Sequence, residues 1–224
     1  MVGTSQLFDL NKDTWSDEIL ASVGLSSALF PPIVNPGEII GQLRPEAAAQ
    51  LGFPAGLPVL SAGHDTQLAL FGSGAEINQP VLSSGTWEIL MVRATEVNTD
   101  SLTQIAESTC ELDAAPGFYN PGLQWLASGV IEWVKNTCWR GESGDNVYAQ
   151  MVAEARAVPP GCDGLTMSPN LLVGSGGIGG GGAYQGLSIN SSRGHLYRAA
   201  LEALSETLAR QLRELEAIGN FSAQ

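Results

Sequence analysis

Lysine is almost missing from this chain. Of its 224 residues only Lys12 and Lys135 are lysine, and ten basic side chains in all face 23 acidic ones, for a formal charge of −13. A surface for nucleic acid or for an anionic membrane needs a basic stripe, and none stands in the sequence. A single nucleotide remains compatible with this balance, because backbone amides, helix N-termini and Mg²⁺ can supply a local positive field. Cysteine is sparse too: Cys110, Cys138 and Cys162 are widely spaced, odd in number and form no CxxC pair. That argues against a disulfide framework or a structural zinc site and fits reduced thiols in a cytosolic protein. Histidine occurs only as His64 and His195, too few for a histidine-based metal centre. No apolar run approaches the length of a membrane span, and Met1–Gly3 passes straight into polar Thr4–Ser5–Gln6 without a signal-peptide pattern.

What is present is an ordinary globular composition, 44% hydrophobic and 15% charged, with 27 glycines that partly cluster and point to tight turns. Thr14–Glu18 reads as a helix start, and Pro45–Leu51 as a short helix with proline in its first turn and Gly52 closing it. Leu57–Ala62 has the look of a short buried strand. It ends in Gly63–His64–Asp65, after which Thr66–Phe71 takes helical spacing, so Asp65 sits where a strand hands over to a helix. Pro80–Ser84 and Trp87–Val92 flank Gly85–Thr86, the signature of a tight hairpin. Leu123–Trp139 shows apolar residues at helical spacing, which predicts one helix with Trp133 on its buried face and makes Trp125 and Trp139 core residues. Val147–Ala157 predicts another helix, stopped by Pro159–Pro160–Gly161. The longest helix follows the glycine run at 174–182. Ser191 or Ser192 caps it, Tyr197, Leu201, Leu204, Leu208, Leu212, Leu215 and Ile218 form its stripe, and Gly219–Asn220 ends it.

Two places can carry chemistry. An aspartate at the end of a strand can take a proton from a substrate hydroxyl if it faces a cleft, or it can simply cap the following helix; local sequence leaves both roles open for Asp65. Ser83–Ser84–Gly85–Thr86 brings bare amides and hydroxyls together in a form that suits phosphate oxygens, or it is an ordinary turn. A carboxylate base and a phosphate clamp are what phosphoryl transfer requires. The glycine run is neither a Walker A loop nor a dinucleotide fingerprint and receives no role. His195 reads as structural.

In order and spacing these pieces resemble the FGGY carbohydrate kinases. The resemblance runs through Gly3–Asp9, Pro45–Ala49 with Pro58–Val59, Gly63–His64–Asp65, Ser84–Gly85–Thr86, Trp125–Trp133, Gly186–Ser188 and Arg193–Ala199. Within the family, the stretches Ser61–Gln67, Pro80–Arg93, Ser108–Asp113 and Tyr119–Gly129 are similar to the branch that acts on L-fuculose. The resemblance implies transfer of the ATP γ-phosphoryl group, with Mg²⁺, to the 1-hydroxyl of L-fuculose or a related ketose such as L-rhamnulose or L-xylulose. It implies that Asp65 is the base, that His64 and Thr66 touch the sugar, and that Ser84, Gly85 and Thr86 grip phosphate. Ser128 and Gly129 are implied to lie at a small-residue helix start near the nucleotide. Many relatives carry a second glycine where this chain has Trp87.

The implied fold is an incomplete actin-like, ribonuclease-H-like (ASKHA) α/β sugar kinase fold. Residues 1–77 would be the C-terminal part of the first, sugar-binding domain, and 78–224 the N-terminal part of the second, nucleotide-binding one. The family's amino-terminal Asp-x-Gly-Thr phosphate loop and the later glycine-rich nucleotide motif do not occur in the sequence, so this chain alone is expected to lack substantial kinase activity. Assembly into a homo-oligomer is left open. Two other readings compete: a non-catalytic interaction module, and a hydrolase built on His64, Asp65 and Ser84, which would need a nucleophile elbow that the sequence does not contain.

Overall fold

The computed structural model describes residues 2–142, 144, 146–172 and 181–218; positions 174–180 of the glycine run and the Gly219–Asn220 stop lie outside them. The fold is mixed α/β. Its elements are β1 (Phe8–Asp9), β2 (Thr14–Trp15), α1 (Asp17–Ser22), β3 (Ile39–Gln42), α2 (Pro45–Leu51), β4 (Pro58–Leu60), α3 (Asp65–Gly72), β5 (Val81–Ser84) and β6 (Trp87–Met91). They continue with α4 (Thr99–Leu102), β7 (Ser108–Leu112), β8 (Tyr119–Leu126), α5 (Ser128–Cys138), α6 (Val147–Arg156), β9 (Thr166–Ser168), β10 (Ala183–Gln185) and α7 (Arg193–Ile218). Strands β5, β6, β8 and β7 are hydrogen-bonded in that order. Two compact units emerge, one made of Met1–Val81, Val92–Val97 and Thr109–Pro121, the other of Leu82–Met91, Asn98–Ser108 and Gly122–Gln224.

Turn chemistry sets the first unit. Ser16 caps α1 by accepting the Ile19 amide, with Asp17 and Glu18 in the first turn where the helix dipole favours acids. In α2, Pro45 occupies the first turn and Gly52 stops the helix at φ 71°, a conformation that other residues adopt at a cost. Leu20, Ala48 and Leu70 are its buried apolar anchors. The predicted strand before Asp65 forms as β4, but it is not buried. It pairs antiparallel with β3 alone, and Ile39, Ile40, Val59 and Leu60 remain exposed, because no second layer of the unit covers this ribbon among the described residues.

The same unit contains a buried ionic knot. Arg93 donates from Nε and Nη2 to the two Asp113 oxygens at 2.9 and 3.1 Å, and the Asp113 side chain is fully buried. Asn120 Nδ2 and the Ala115 amide also donate to Asp113, each at 2.8 Å. The Arg93 guanidinium lies 5.4 Å from the Phe71 ring centre and 5.1 Å from that of Phe118. A buried carboxylate is tolerable when its oxygens are satisfied in this way.

The second unit has a core of Val130, Val134, Met151, Leu165 and Tyr197, with small α7 residues Ala199, Ala200 and Ala203 against them. Here the sequence periodicity misleads twice. Leu123–Leu126 is the end of β8, not the first turn of a helix; α5 starts at Ser128. In register, β8 pairs antiparallel with β6, from Trp87 opposite Leu126 to Met91 opposite Gly122. An inner strand covered on both faces carries continuous apolar residues, which mimic a helical stripe over so short a span. Of the apolar stripe, Val130 and Val134 are buried on α5 as expected, whereas Trp133 is 42% exposed. Along α7 the buried line runs through Ala200, Ala203, Thr207, Gln211 and Leu215, while Leu201 is exposed; small side chains let the helix approach its neighbours closely. A Cβ on Gly194 would stand 2.7 Å from the Glu154 carbonyl oxygen of α6. Arg193 fixes that same contact through Glu154 and Glu142 and sits 4.8 Å over the Trp139 ring. Its hydrogen bonds hold the Glu154 carboxyl below the usual range.

The three cysteines are free thiols. Burial pushes Cys110 up to about 12, and burial with the nearby Glu202 carboxylate pushes Cys162 up to about 11, so both stay protonated at neutral pH. Among the described residues no helix is long and apolar enough to cross a membrane.

Candidate active site

The turn that leaves β4 delivers His64 and Asp65 to the start of α3. His64 occupies the N-cap position in extended conformation, φ −68° and ψ 139°, and makes no side-chain cap bond. Asp65 is therefore the first helical residue and not the cap, which removes the simplest structural role for it. Its carboxylate accepts the Thr66 amide at 2.8 Å and lies 3.5 Å from the Thr66 hydroxyl. His64 Nδ1 stands 3.4 Å from the same oxygen. The Asp65 side chain is 95% exposed, open to a substrate and to water.

Beside it the first unit holds a cleft of about 690 Å³, whose lining includes His64, Gln67, Glu111, Trp15, Pro36 and Phe118. That volume suits a small ligand, and the mixture of polar edges and apolar faces suits a polyhydroxylated one. Asp65 itself does not line it. Glu111, on β7, is half-buried; burial pushes its carboxyl up, and His64 partly offsets this. Gln67 Oε1 is a buried atom with no hydrogen-bond partner, and His64 Nδ1, also buried, has only its 3.4 Å approach to Asp65. Among the described residues no group of three or more His, Cys, Asp or Glu is arranged to hold a metal ion.

In the second unit the predicted hairpin forms between β5 and β6, with Gly85–Thr86 at its tip. The Gly85 amide donates to the Trp87 carbonyl at 3.1 Å. Helix α5 braces the tip from behind: the Ala127 and Ser128 amides donate to the Thr86 and Gly85 carbonyls at 3.0 and 3.2 Å, and Gly129 donates to Thr86 at 3.4 Å. The amides of Ser128 and Gly129 are thus spent on the hairpin. Gly129 is also needed for packing, since a Cβ there would lie 2.6 Å from Leu126 Cδ1. Gly85 differs. Its φ is not positive, and an added Cβ would meet only the Trp87 carbonyl oxygen, at 3.6 Å. Neither backbone nor packing asks for glycine at 85. Ser84 donates to Glu88 Oε1 at 3.4 Å and has no histidine as a bonded partner.

Asp65, His64 and Thr66 are thus adjacent in the first unit, and Ser84, Gly85, Thr86, Ser128 and Gly129 are adjacent in the second. Sequence reasoning passed over Gln67, Glu111 and the Arg93–Asp113 pair. The signal available for Gln67 was its place three residues after His64, which puts both on one helix face. For Glu111 it was a charge within a strand.

Residues 1–72 match the family model for the N-terminal domain of the FGGY family of carbohydrate kinases, and residues 81–220 match that for the C-terminal domain. The chain belongs to the FGGY family. It is 52% identical over 223 residues to the L-fuculokinase of Escherichia coli (strain K12), covering 100% of this chain and 46% of that protein. To the L-fuculokinase of Haemophilus influenzae it is 39% identical over 227 residues, covering 100% of this chain and 47% of that protein. The chain therefore spans about half the length of the curated relatives it matches. Among solved structures, the xylulose kinase of Rhodospirillum rubrum superposes with a TM-score of 0.80 at 26% identity, over 97% of this chain and 44% of that one. This FGGY chain accordingly has the actin-like fold of sugar kinases.

Proposed function

We propose that the native polypeptide carrying this sequence phosphorylates L-fuculose with ATP, giving L-fuculose 1-phosphate and ADP. One observation carries the reading: the likeness to L-fuculokinase, at 52% identity, extends over the whole chain. Residues 1–77 would serve the sugar and 78–224 the nucleotide.

Asp65 is the general base. As the sugar O1 attacks the γ-phosphorus, its proton passes to the Asp65 carboxylate, the O1–P bond forms, and the bond from phosphorus to the departing ADP oxygen breaks. Exposure of the carboxylate, at 95%, lets the proton return to water afterwards. The Thr66 amide and hydroxyl at 2.8 and 3.5 Å restrain the carboxylate, and His64 and Thr66 contact the sugar.

Ser84 and Thr86 hold phosphate oxygens through their hydroxyls, Gly85 lets the phosphate come close to the tip, and Ser128 and Gly129 brace that tip. A glycine that neither conformation nor packing requires supports close approach of a ligand to the backbone at 85. Mg²⁺ fits the donor set only as an ion held mainly by the nucleotide's phosphates and water, since no cluster of three acidic or imidazole groups is present among the described residues. Bound there, it would neutralise charge on the phosphates.

A coupled ADP-release assay of the native polypeptide against L-fuculose, L-rhamnulose, D-ribulose and L-xylulose tests the proposal. The highest kcat/KM is expected for L-fuculose. Preference for another ketose overturns the sugar assignment, and transfer to none of them overturns the kinase reading.

A further inference from the structure

The base and the phosphate grip leave the polar lining of the first unit's cleft without a task. Gln67 is 5% exposed, yet its Oε1 has no hydrogen-bond partner, and it lines that cleft. His64 lines the same cleft, with its Nδ1 3.4 Å from the Asp65 carboxylate. Folded proteins satisfy nearly all buried polar atoms, so this orphan, in a residue that lines a cavity, points to a ligand that completes it. Both residues belong to the start of α3, three positions apart, so they present their polar ends on one face of the helix. Glu111 adds a half-buried carboxyl from another element of the same unit, and Trp15 and Phe118 add aromatic surface for the C–H face of a sugar.

We propose that Gln67 is a specificity-determining residue, whose side-chain Oε1 accepts a hydrogen bond from a hydroxyl of the bound ketose beside His64. This rests on the reading of the chain as part of a ketose kinase. Gln67 takes no part in bond making. It reads whether a hydroxyl is present and where it points, because a site built to bond a hydroxyl is left with an unpaired buried acceptor when the hydroxyl is absent or inverted. Asp65, which does not line the cleft, acts on the reacting hydroxyl, whereas Gln67 acts on another.

Calorimetric titration of the full chain with L-fuculose, L-rhamnulose, L-xylulose and ATP, for wild type and Gln67→Met, tests this. Methionine keeps the volume and unbranched shape of glutamine while removing its acceptor. The expected result is ketose binding weakened about tenfold, a smaller spread among the three ketoses, and ATP binding unchanged. If the variant melts early, the wild-type chain still decides: the Gln67 side-chain amide resonances shift when L-fuculose is added and stay fixed with ATP. Unchanged ketose affinity in a folded variant overturns the proposal, as does a wild-type chain that binds none of the three ketoses. Ketose binding that depends on Gln67 upholds it even if the native polypeptide transfers no phosphoryl group, a result that sinks the kinase reading alone. Normal transfer with binding indifferent to Gln67 does the reverse.

Discussion

Replacing Asp113 by asparagine changes one atom's charge and little volume, and the buried knot around Arg93 makes the consequence calculable. Asp113 is fully buried and receives four hydrogen bonds, two from Arg93 and one each from Asn120 and the Ala115 amide. Asparagine keeps one acceptor oxygen but turns an NH₂ toward donors. The Arg93 guanidinium, with only 15% of its side chain exposed, is then left without a counter-charge. Stranding one partner of a buried pair costs about 3–5 kcal/mol. The Phe71 and Phe118 rings retain about 0.5–2 kcal/mol of attraction for the cation but hold it with or without Asp113, so they do not offset the loss. A loss of that size is a large fraction of the stability of an ordinary domain. Because the chain forms two units, the readout should be local: native-state hydrogen exchange of the Val92, Ala94 and Tyr119 amides, whose partners are Pro121, Tyr119 and Ala94. Asp113→Asn is expected to lower their protection by the amount above and to leave α7 amides unchanged. The double variant Arg93→Met/Asp113→Leu should recover part of it, since it removes both charges together but takes the acceptor away from Asn120 and the Ala115 amide. A loss under about 1 kcal/mol in the single variant, or a double variant no better than the single, would refute the role assigned to the pair.

Three further outcomes follow from the same geometry. Gly194→Ala is expected to destabilise the second unit by about 1–3 kcal/mol in urea unfolding, because the new methyl meets the Glu154 backbone carbonyl, which cannot turn aside; a neutral result contradicts the close α6–α7 approach. Gly85→Ala should change stability by less than about 0.5 kcal/mol while raising KM for ATP in the native polypeptide at least about tenfold. If KM for ATP holds, the tip is only a turn. Glu111→Gln addresses pH. The folded-state pKa of Glu111 lies above its ordinary value of 4.5, so its contribution to stability is fully present below that value and is lost as pH rises through the folded one. The variant should melt higher than wild type at pH 7, with the gap closing below about pH 4.5; a gap independent of pH contradicts the buried-carboxylate account.

The local structure around the candidate site was readable because it depends on local rules. The proline and glycine that bound α2, the strand-to-helix change at Asp65 and the two-residue break at Gly85–Thr86 are each dictated by a few consecutive residues, and each forms. What failed depended on what lies across from a residue. Leu123 and Leu126 match a helical stripe and a doubly covered strand equally well, and only the β6 partner decides between them. Trp133 and Val134 are both apolar and adjacent on α5, yet successive helical residues point about 100° apart, and the packing partners bury Val134 and leave Trp133 exposed. Val59 and Leu60 are as apolar as any core strand, yet exposure follows from the layers present and not from composition. Gln67 stood in view as the residue after Thr66, but an orphaned acceptor is a property of its surroundings, which sequence does not contain.

Asp65 carries the central claim, and Asp65→Asn in the native polypeptide tests it most directly. The side chain is 95% exposed and asparagine keeps an oxygen acceptor for the Thr66 amide, so the variant should melt as wild type does. Coupled ADP release with L-fuculose and ATP should show kcat lowered about 10²–10⁴-fold, with KM for both substrates within about threefold of wild type. A variant whose kcat stays within about threefold of wild type, with the fold intact, would contradict Asp65 as the base.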